Sequence, residues 1–296
     1  MDIRNSLCKF LPHSLFPLLK EGKKFGVLKG ATLFADLAGF TKLTETLASI
    51  GKEGSEELTR ILNNFFEKMI NIVLQNKGDV IRFGGDAMTI FIPSTIENGL
   101  KTAFMLQKEC LNFQKVETKA GIFSLSMKIG LSYGDIFLGL VGNGQTFFDY
   151  FAAGDSLNRA AEAEHRAKKG EILVACKDLN NFDKSHFSIR EIEDGFCIME
   201  DYKGDFSPSE IVFNEECIPK EEQILAFLPS YIKEKAFIEE QKLVGEHRRT
   251  TTLFLKFSNL DFNNEKSFQT LQMIFTEIAS SVKKYGGTVN KIDMGD

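Results

Sequence analysis

The sequence predicts an α+β fold in which helices pack on a mainly antiparallel sheet. Short apolar runs between glycines are typical of buried strands, and the first of them spans 31–37, between Gly30 and Gly39. Longer segments place apolar residues at helical spacing. The two patterns alternate in the order β, α, β, β, α, β, β, β, α, β. Hairpins interleaved with helices in this way favour that fold class.

The first elements are justified by local signals. Thr41 is expected to cap a helix that follows the first strand. Residues 53–76 have the most regular helical pattern in the chain, with apolar side chains recurring on one face. Strands are expected at 80–83 and 88–92, joined by a glycine-rich hairpin turn over 84–86.

The later elements follow the same two patterns. They are a helix over 95–113, strands over 125–131, 136–141 and 146–152, a helix that begins at 154–156 and stops at Gly170, and a strand over 172–175. The N-terminal segment is interrupted by Pro12 and Pro17, so it is expected to form a helical or extended arm.

The end of the chain repeats its beginning. TTLFLKFSNL at 251–260 aligns with ATLFADLAGF at 31–40. YGGTVNKIDMGD at the C-terminus aligns with NKGDVIRFGGD at 76–86 when one residue is inserted. A helical pattern at 268–282 lies between the two matching segments, as in the first copy. The chain therefore contains an internal repeat at the scale of a domain.

This repeat sets the predicted domain boundaries. Charge clusters and prolines before the second copy indicate a linker, with a short helix at 221–227. The second copy stops at its turn aspartate, Asp296, so most of a second domain is expected to follow it. The predicted parts are an N-terminal arm at 1–26, a first domain at 27–207, a linker at 208–247 and a truncated second domain at 248–296.

Composition excludes some classes of function. The chain has 36 basic and 41 acidic residues, a net charge of 36 − 41 = −5, which argues against a protein that coats nucleic acid. No apolar run is long enough to predict a membrane span. The five cysteines are odd in number and form no CxxC pair, so reduced core thiols in the cytoplasm are expected.

Two aspartates are the candidate functional residues. Asp36 and Asp86 each lie at the end of a predicted strand beside a glycine-rich turn. Carboxylates are ligands that magnesium prefers, together with substrate phosphates. The structural alternative is that Asp36 caps the following helix and Asp86 serves the turn. These residues alone leave both interpretations open.

Three motifs in order carry a family resemblance: FADLAGFT, GDVIRFGGDA and FAAGDSLNRAAEAE. Together they resemble the class III nucleotidyl cyclases, and the repeat resembles the two-domain soluble adenylyl cyclases of the bicarbonate-responsive type. The resemblance covers about 27–200, and 248–296 more weakly. It implies a ferredoxin-like, palm-type fold. The implied reaction joins the ribose 3′-hydroxyl of ATP to its α-phosphate, forming cyclic AMP and pyrophosphate.

The resemblance also implies roles for single residues. Two Mg²⁺ or Mn²⁺ ions would bind Asp36, Asp86 and the backbone carbonyl of Leu37. Lys291 would donate a hydrogen bond to adenine N1. The implied nucleotide contacts are the exposed amides at the helix start and the hairpin turn: Ala38, Gly39, Phe40, Thr41 and Gly85.

The chain departs from the family pattern at two positions. Asn158 matches a family asparagine, but Glu162 stands where the family has arginine. In the second copy, Lys256 replaces the metal aspartate, whereas Asp296 is kept. The metals are therefore expected from the first domain and base recognition from the second. The missing asparagine and arginine are expected in the rest of the second domain, after this chain.

Bicarbonate is a further implied partner. In relatives that respond to it, the regulatory site uses a lysine at the position of Arg82 and an arginine near Asn158. The family position of that arginine is Ala161, and Arg159 and Arg166 are nearby candidates.

Two other functions stay open. RFGGDAMTIF resembles the GGDEF turn of diguanylate cyclases, although Ala87 and Met88 replace the Glu–Phe pair. The other alternative is a catalytically inactive, cyclase-like regulatory module, which Glu162 and the incomplete second domain keep open for the isolated chain.

Overall fold

The computed structural model describes residues 8–142, 148–180, 182–207, 218–228, 251–258, 260 and 265–292. Its α-helices are α1 (Phe16–Glu21), α2 (Phe40–Ser49), α3 (Lys52–Gln75), α4 (Ile96–Cys110), α5 (Asp155–Arg166), α6 (Glu221–Leu225) and α7 (Glu265–Lys284). Its strands are β1 (Phe25–Ala38), β2 (Asp79–Gly84), β3 (Ala87–Ile92), β4 (Val116–Thr118), β5 (Gly121–Phe123), β6 (Ser126–Gly142), β7 (Phe148–Ala153), β8 (Ile172–Ala175), β9 (Phe187–Glu191) and β10 (Phe196–Tyr202).

The chain divides into two compact units. The sheet unit consists of Val27–Ile136 and Gly154–Phe213. The hairpin unit consists of Met1–Gly26, Phe137–Ala153 and Asn214–Asp296.

The sheet unit contains strands in the order β2-β3-β1-β6-β8-β10-β9. Strand β3 is antiparallel to both β1 and β2, and β10 is antiparallel to both β8 and β9. Strands β6 and β8 run parallel. The predicted α+β class with a mainly antiparallel sheet is therefore confirmed.

Helices α3 and α4 cover the sheet with apolar stripes. Helix α3 buries Ile61, Phe65, Met69 and Val73, at the spacing of one helical face. Phe65 lies fully inside the core and makes an edge-to-face contact with Phe113 at 5.0 Å between ring centroids. Burying each such side chain stabilises the fold by about 1.5–3 kcal/mol, so this face holds the helix on the sheet.

Helix α5 approaches strand β6 very closely because Gly130 has no side chain. A Cβ atom at Gly130 would lie 2.1 Å from the carbonyl oxygen of Ala160 and 2.1 Å from the amide nitrogen of Glu164. The facing helix residues Ala160 and Ala163 are small and fully buried. This close approach brings Glu164 of α5 to the strand that carries Lys128.

The hairpin unit is built around the far end of β6. Its residues Phe137–Gly142 pair with β7 in antiparallel register. Helix α7 contributes one apolar stripe to the same buried cluster. The buried members of this cluster are Val141, Phe151, Ala153, Phe268, Leu271, Phe275 and Ala279.

Most predicted elements are confirmed with small shifts in their ends, but several details are wrong. Residues 126–142 form the single strand β6, where two strands were expected. Helix α2 is capped by Gly39, with no side-chain cap, so Thr41 does not have the predicted role. Strands β9 and β10 were not predicted. Residues 251–258 align with a strand of the first copy, but they form no strand and are exposed.

The prediction of reduced thiols is wrong for one pair. Cys176 and Cys197 form a disulfide, because the pairing of β8 with β10 brings their Cα atoms to 5.5 Å. Their separation of 21 residues gives no local motif, so the sequence did not reveal the pair. Cys110 is a buried thiol, and burial raises its pKa to about 11. Cys217 lies outside the described residues.

Across the described ranges, no helix combines the length and the apolar character of a membrane span.

The contact at Gly130 gives a stability prediction. Gly130→Ala should lower the free energy of unfolding by about 2 kcal/mol or more, because the new methyl group must push α5 off β6. Gly84→Ala is the matched control, since a Cβ there meets nothing within 4 Å. Urea denaturation followed by circular dichroism measures both. Equal stability of the two variants would contradict the close packing of α5.

Candidate active site

The pairing of β1 with β3 brings the two predicted metal aspartates together. Asp36 lies near the end of β1 and pairs in register with Ala87, the residue that follows Asp86. Asp86 itself lies in the turn between β2 and β3. Both side chains are partly buried. The sequence prediction that these carboxylates lie at adjacent strand ends is thus consistent with the register of the sheet.

A lysine that the sequence analysis did not single out joins this pair. The ammonium group of Lys128, on β6, lies 3.4 Å from a carboxylate oxygen of Asp36 and 2.5 Å from one of Glu164. The Glu164 side chain is only 10% exposed. Lys128 therefore links the carboxylate at the end of β1 to a nearly buried carboxylate of helix α5.

Burial and neighbouring charges shift the pKa values of Asp86 and Lys128. Burial raises the pKa of Asp86 above its ordinary value, and the charge of Asp36 adds to that effect. A hydrogen bond from its own backbone and the charge of Lys128 act in the opposite direction. Burial alone would lower the pKa of Lys128, but Glu164 and Asp36 raise it overall. The cluster thus keeps a cation fixed beside carboxylates that repel each other.

The turn after β1 leads directly into the start of a helix. Gly39 has φ 94°, and a Cβ there would lie 2.5 Å from the carbonyl oxygen of Ser124, so only glycine fits. Helix α2 begins at the next residue, and its first amides have no partners within the helix. A helix start of this kind favours anions. Phe40 and Thr41 lie in this first turn, directly after Ala38 and Gly39.

Two other predicted site residues, Leu37 and Gly85, are the sequence neighbours of the aspartates. Leu37 follows Asp36 in β1, and its side chain is buried. Gly85 is exposed in the turn before Asp86 and has φ 70°, a left-handed conformation that suits glycine.

The predicted regulatory residues differ in their exposure to solvent. Arg82 is partly buried in β2 and Asn158 is exposed on α5. Arg159 binds the carboxylate of Asp178 at 3.2 Å and the carbonyl oxygen of Tyr133 at 2.9 Å. Bicarbonate binding stays a prediction of the family resemblance.

Arg166 is also engaged on the surface of α5. It donates hydrogen bonds to Glu162 at 2.9 Å and to Asp194 at 2.8 Å, and it lies over the ring of Phe196. The glutamate at the family's arginine position is therefore paired with a cation four residues along the same helix.

The predicted residues of the second copy belong to the hairpin unit. Lys291 is exposed, in a segment without regular secondary structure that follows α7. Lys256 is exposed in the segment before α7. Asp296 lies outside the described residues.

The donor set of the sheet unit fits a divalent cation such as magnesium. It offers two carboxylates with mutually unfavourable charges and a neighbouring backbone carbonyl, all hard oxygen donors. Among the described residues, no group of three or more His, Cys, Asp or Glu side chains is arranged to hold a metal ion.

Comparison with known proteins identifies the class. Residues 29–196, more than half of the chain, match the family described as the adenylate and guanylate cyclase catalytic domain. The chain belongs to this family of class III cyclase domains.

Three individual relatives share less than a quarter of their residues with this chain over the aligned regions. Adenylate cyclase type 10 of Oryctolagus cuniculus is 23% identical over 90% of this chain and 19% of its own length. Adenylate cyclase 1 of Rhizobium meliloti is 23% identical over 60% of this chain and 29% of its own length. The chain thus spans about a fifth of the rabbit protein's length. In fold it is similar to a bacterial light-regulated adenylyl cyclase, with a TM-score of 0.50 at 20% identity over 66% of this chain and 58% of that one.

The Lys128–Glu164 contact gives the next prediction. Lys128→Met should lower the free energy of unfolding by about 1–3 kcal/mol, because it leaves Glu164 nearly buried without its cation. The double variant Lys128→Met/Glu164→Leu should lose less than the sum of the single variants. Chemical denaturation of all four proteins measures this coupling.

A surface pair provides the control for that experiment. Lys52 and Glu56 are 91% and 69% exposed and 3.8 Å apart, so Lys52→Met should leave stability unchanged within error. Strictly additive losses at Lys128 and Glu164 would show that the two side chains do not stabilise each other.

Proposed function

We infer that the chain contains the metal-binding half of an adenylyl cyclase, which converts ATP to cyclic AMP and pyrophosphate. The observation that supports this most strongly is the register of β1 with β3, which places Asp36 beside the Asp86 turn. The membership of residues 29–196 in the cyclase family supports the reaction class. The adenylyl cyclases among its relatives support ATP as the substrate.

The proposed roles follow from the chemistry of each group. Two Mg²⁺ or Mn²⁺ ions, bound by Asp36, Asp86 and the carbonyl of Leu37, would acidify the ribose 3′-hydroxyl and offset the charge of the triphosphate. The backbone amides from Ala38 to Thr41 hold phosphate oxygens at the start of α2. Gly85 leaves room for the nucleotide at the turn.

The reaction itself needs few protein groups. The 3′-hydroxyl gives its proton to solvent and its oxygen attacks the α-phosphorus. The bond from that phosphorus to the oxygen that bridges to the β-phosphorus breaks, and pyrophosphate leaves. Lys128 keeps the Asp36 carboxylate oriented through their 3.4 Å ion pair. Positioning of this kind and fixed charges account for most catalysis of phosphoryl chemistry.

Base recognition is assigned to the second copy. Lys291 can donate a hydrogen bond to adenine N1, which is an acceptor, whereas guanine has a donor N–H at this position. The rest of a second cyclase domain is the proposed partner that supplies the asparagine and arginine, because Glu162 occupies the arginine position of the first domain.

Product analysis separates this proposal from the alternatives. The complete natural protein is incubated with ATP or GTP and Mg²⁺, and the products are resolved by chromatography. Cyclic AMP supports the proposal, cyclic di-GMP would support a diguanylate cyclase, and no product from either nucleotide would support the inactive regulatory module.

The aspartates give the first activity prediction. Asp36→Asn and Asp86→Asn should each lower kcat for cyclic AMP formation by at least about 100-fold, because each removes one charged metal ligand. Raising the Mg²⁺ concentration should restore part of the loss. Cyclic AMP production at several Mg²⁺ concentrations is the measurement.

A matched control is available on β6. Asp135 is exposed, and Asp135→Asn should retain wild-type activity. Wild-type turnover in Asp36→Asn would refute the metal role of that residue.

The second activity prediction concerns the base. Lys291→Ala should lower kcat/KM for ATP by about 10- to 100-fold, because a hydrogen bond from a charged donor is lost. The rate with GTP should change little, so the preference for ATP should shrink. Lys284→Ala removes a nearby lysine at the end of α7 and serves as the control. Equal losses with ATP and GTP would argue against base reading by Lys291.

A further inference from the structure

The hairpin unit contains a buried carboxylate, and each of its two oxygens accepts a hydrogen bond from a backbone amide. Asp149, on β7, is only 5% exposed. One of its oxygens accepts a hydrogen bond from the amide of Tyr150 at 2.8 Å. The other accepts a hydrogen bond from the amide of Ile292 at 2.8 Å. This second bond joins residues that are 143 positions apart in the sequence.

The bond ends on the residue directly after Lys291. Fixing the amide of Ile292 fixes the peptide that it shares with Lys291, and therefore the point from which the lysine side chain projects. Ile292 and Val289 are partly buried against the cluster formed by the hairpin and α7, whereas Lys291 is exposed. The segment is thus anchored on both sides of an outward-facing lysine.

Because Asp149 is buried, its hydrogen bond to the amide of Ile292 stabilises the position of this segment. A buried carboxylate is costly unless hydrogen bonds satisfy it. Both oxygens of Asp149 are satisfied by backbone amides, and bonds from amides to a charged acceptor are among the stronger ones in proteins. Loss of the carboxylate would leave the amide of Ile292 without this partner.

Further contacts bind helix α7, which precedes this segment, to the hairpin. The side-chain amide of Gln272 donates to the carbonyl oxygen of Gly142 at 2.7 Å and accepts from the amide of Gly142 at 3.1 Å. Phe268 of α7 also stacks on Phe151 of β7, with 6.2 Å between ring centroids. Helix α7 and the segment after it are therefore both bound to the β6–β7 hairpin.

We propose that Asp149 is a positioning residue for base selection: its carboxylate holds the backbone of the Lys291 segment so that the lysine meets the adenine edge. The proposal rests on the proposed adenylyl cyclase function and on the assignment of Lys291. It assigns a role in substrate choice to a hairpin residue of the first copy that is not one of the proposed metal ligands.

The test compares wild type with Asp149→Ala in the complete natural protein. Asp149→Ala should speed amide hydrogen exchange in peptides covering 285–292 by roughly tenfold or more. It should raise KM for ATP and lower the ratio of kcat/KM for ATP to that for GTP, also by roughly tenfold, as expected when a recognition group is displaced. The Mg²⁺ dependence should stay as in wild type, because the metal ligands are untouched.

The chain offers a matched control. Asp201 accepts the same local hydrogen bond from the amide of the next tyrosine, Tyr202, at 2.9 Å, but it is exposed. Asp201→Ala should change neither the exchange at 285–292 nor the preference for ATP. If Asp149→Ala fails to fold, Asp149→Asn replaces it, since it keeps one acceptor oxygen, and an intermediate shift in selectivity is expected.

The outcomes separate the two proposals. Unchanged exchange at 285–292 overturns the anchor, and faster exchange with unchanged selectivity overturns the positioning role while cyclase activity stands. A wild-type protein that forms no cyclic nucleotide overturns the proposed function, and the role of Asp149 in base selection falls with it. Faster exchange together with a reduced preference for ATP, while Asp201→Ala behaves as wild type, supports the proposal.

Discussion

Two carboxylates kept close at the ends of neighbouring strands are the constraint on which the sheet unit depends. Asp36 and Asp86 repel each other, and partial burial makes the repulsion stronger than it would be in water. The fold offsets this cost with a cation on the next strand, Lys128, and pairs that cation with Glu164 on α5. Gly130 is the feature that lets α5 come close enough for the pairing. The ion pairs of Lys128 therefore depend on the close packing of α5 against β6.

Local patterns were sufficient to predict the long helices and the turn that holds Asp86. The apolar stripe of α3 and the glycine-rich turn before Asp86 are signals within a few residues, and the structure confirms both elements. Lys128 was missed because its contact with Asp36 depends on β6 lying beside β1, and the two residues are 128 − 36 = 92 positions apart. Strands β9 and β10 and the Cys176–Cys197 disulfide escaped prediction for the same reason: pairing partners distant in sequence decide them.

The segment 251–258 shows the limit of repeat detection. Its sequence aligns with β1, but its side chains are exposed, including Phe254 at 90% and Leu253 at 73%. A strand is stabilised by hydrogen bonds and packing from its neighbours, so sequence similarity to a central strand gives the same conformation only where those neighbours are present. Helix α7 satisfies its own backbone, and its apolar stripe packs on the hairpin, so it forms as the alignment predicts.

Under the proposed function, the two copies carry opposite changes of charge, and this bears on how a cyclase site would be completed. In the first copy, a carboxylate at Glu162 replaces a cation, and its pair with Arg166 is exposed and thus weak. A triphosphate meeting this surface would gain no net positive charge from it, so two first copies make a poor site. In the second copy, Lys256 aligns with the proposed metal ligand Asp36, whereas Lys291 is the proposed base-reading residue and Asp149 binds the backbone amide of the residue after it. Each copy lacks the charge that the other provides, which favours one catalytic site built from unlike halves over two equivalent sites.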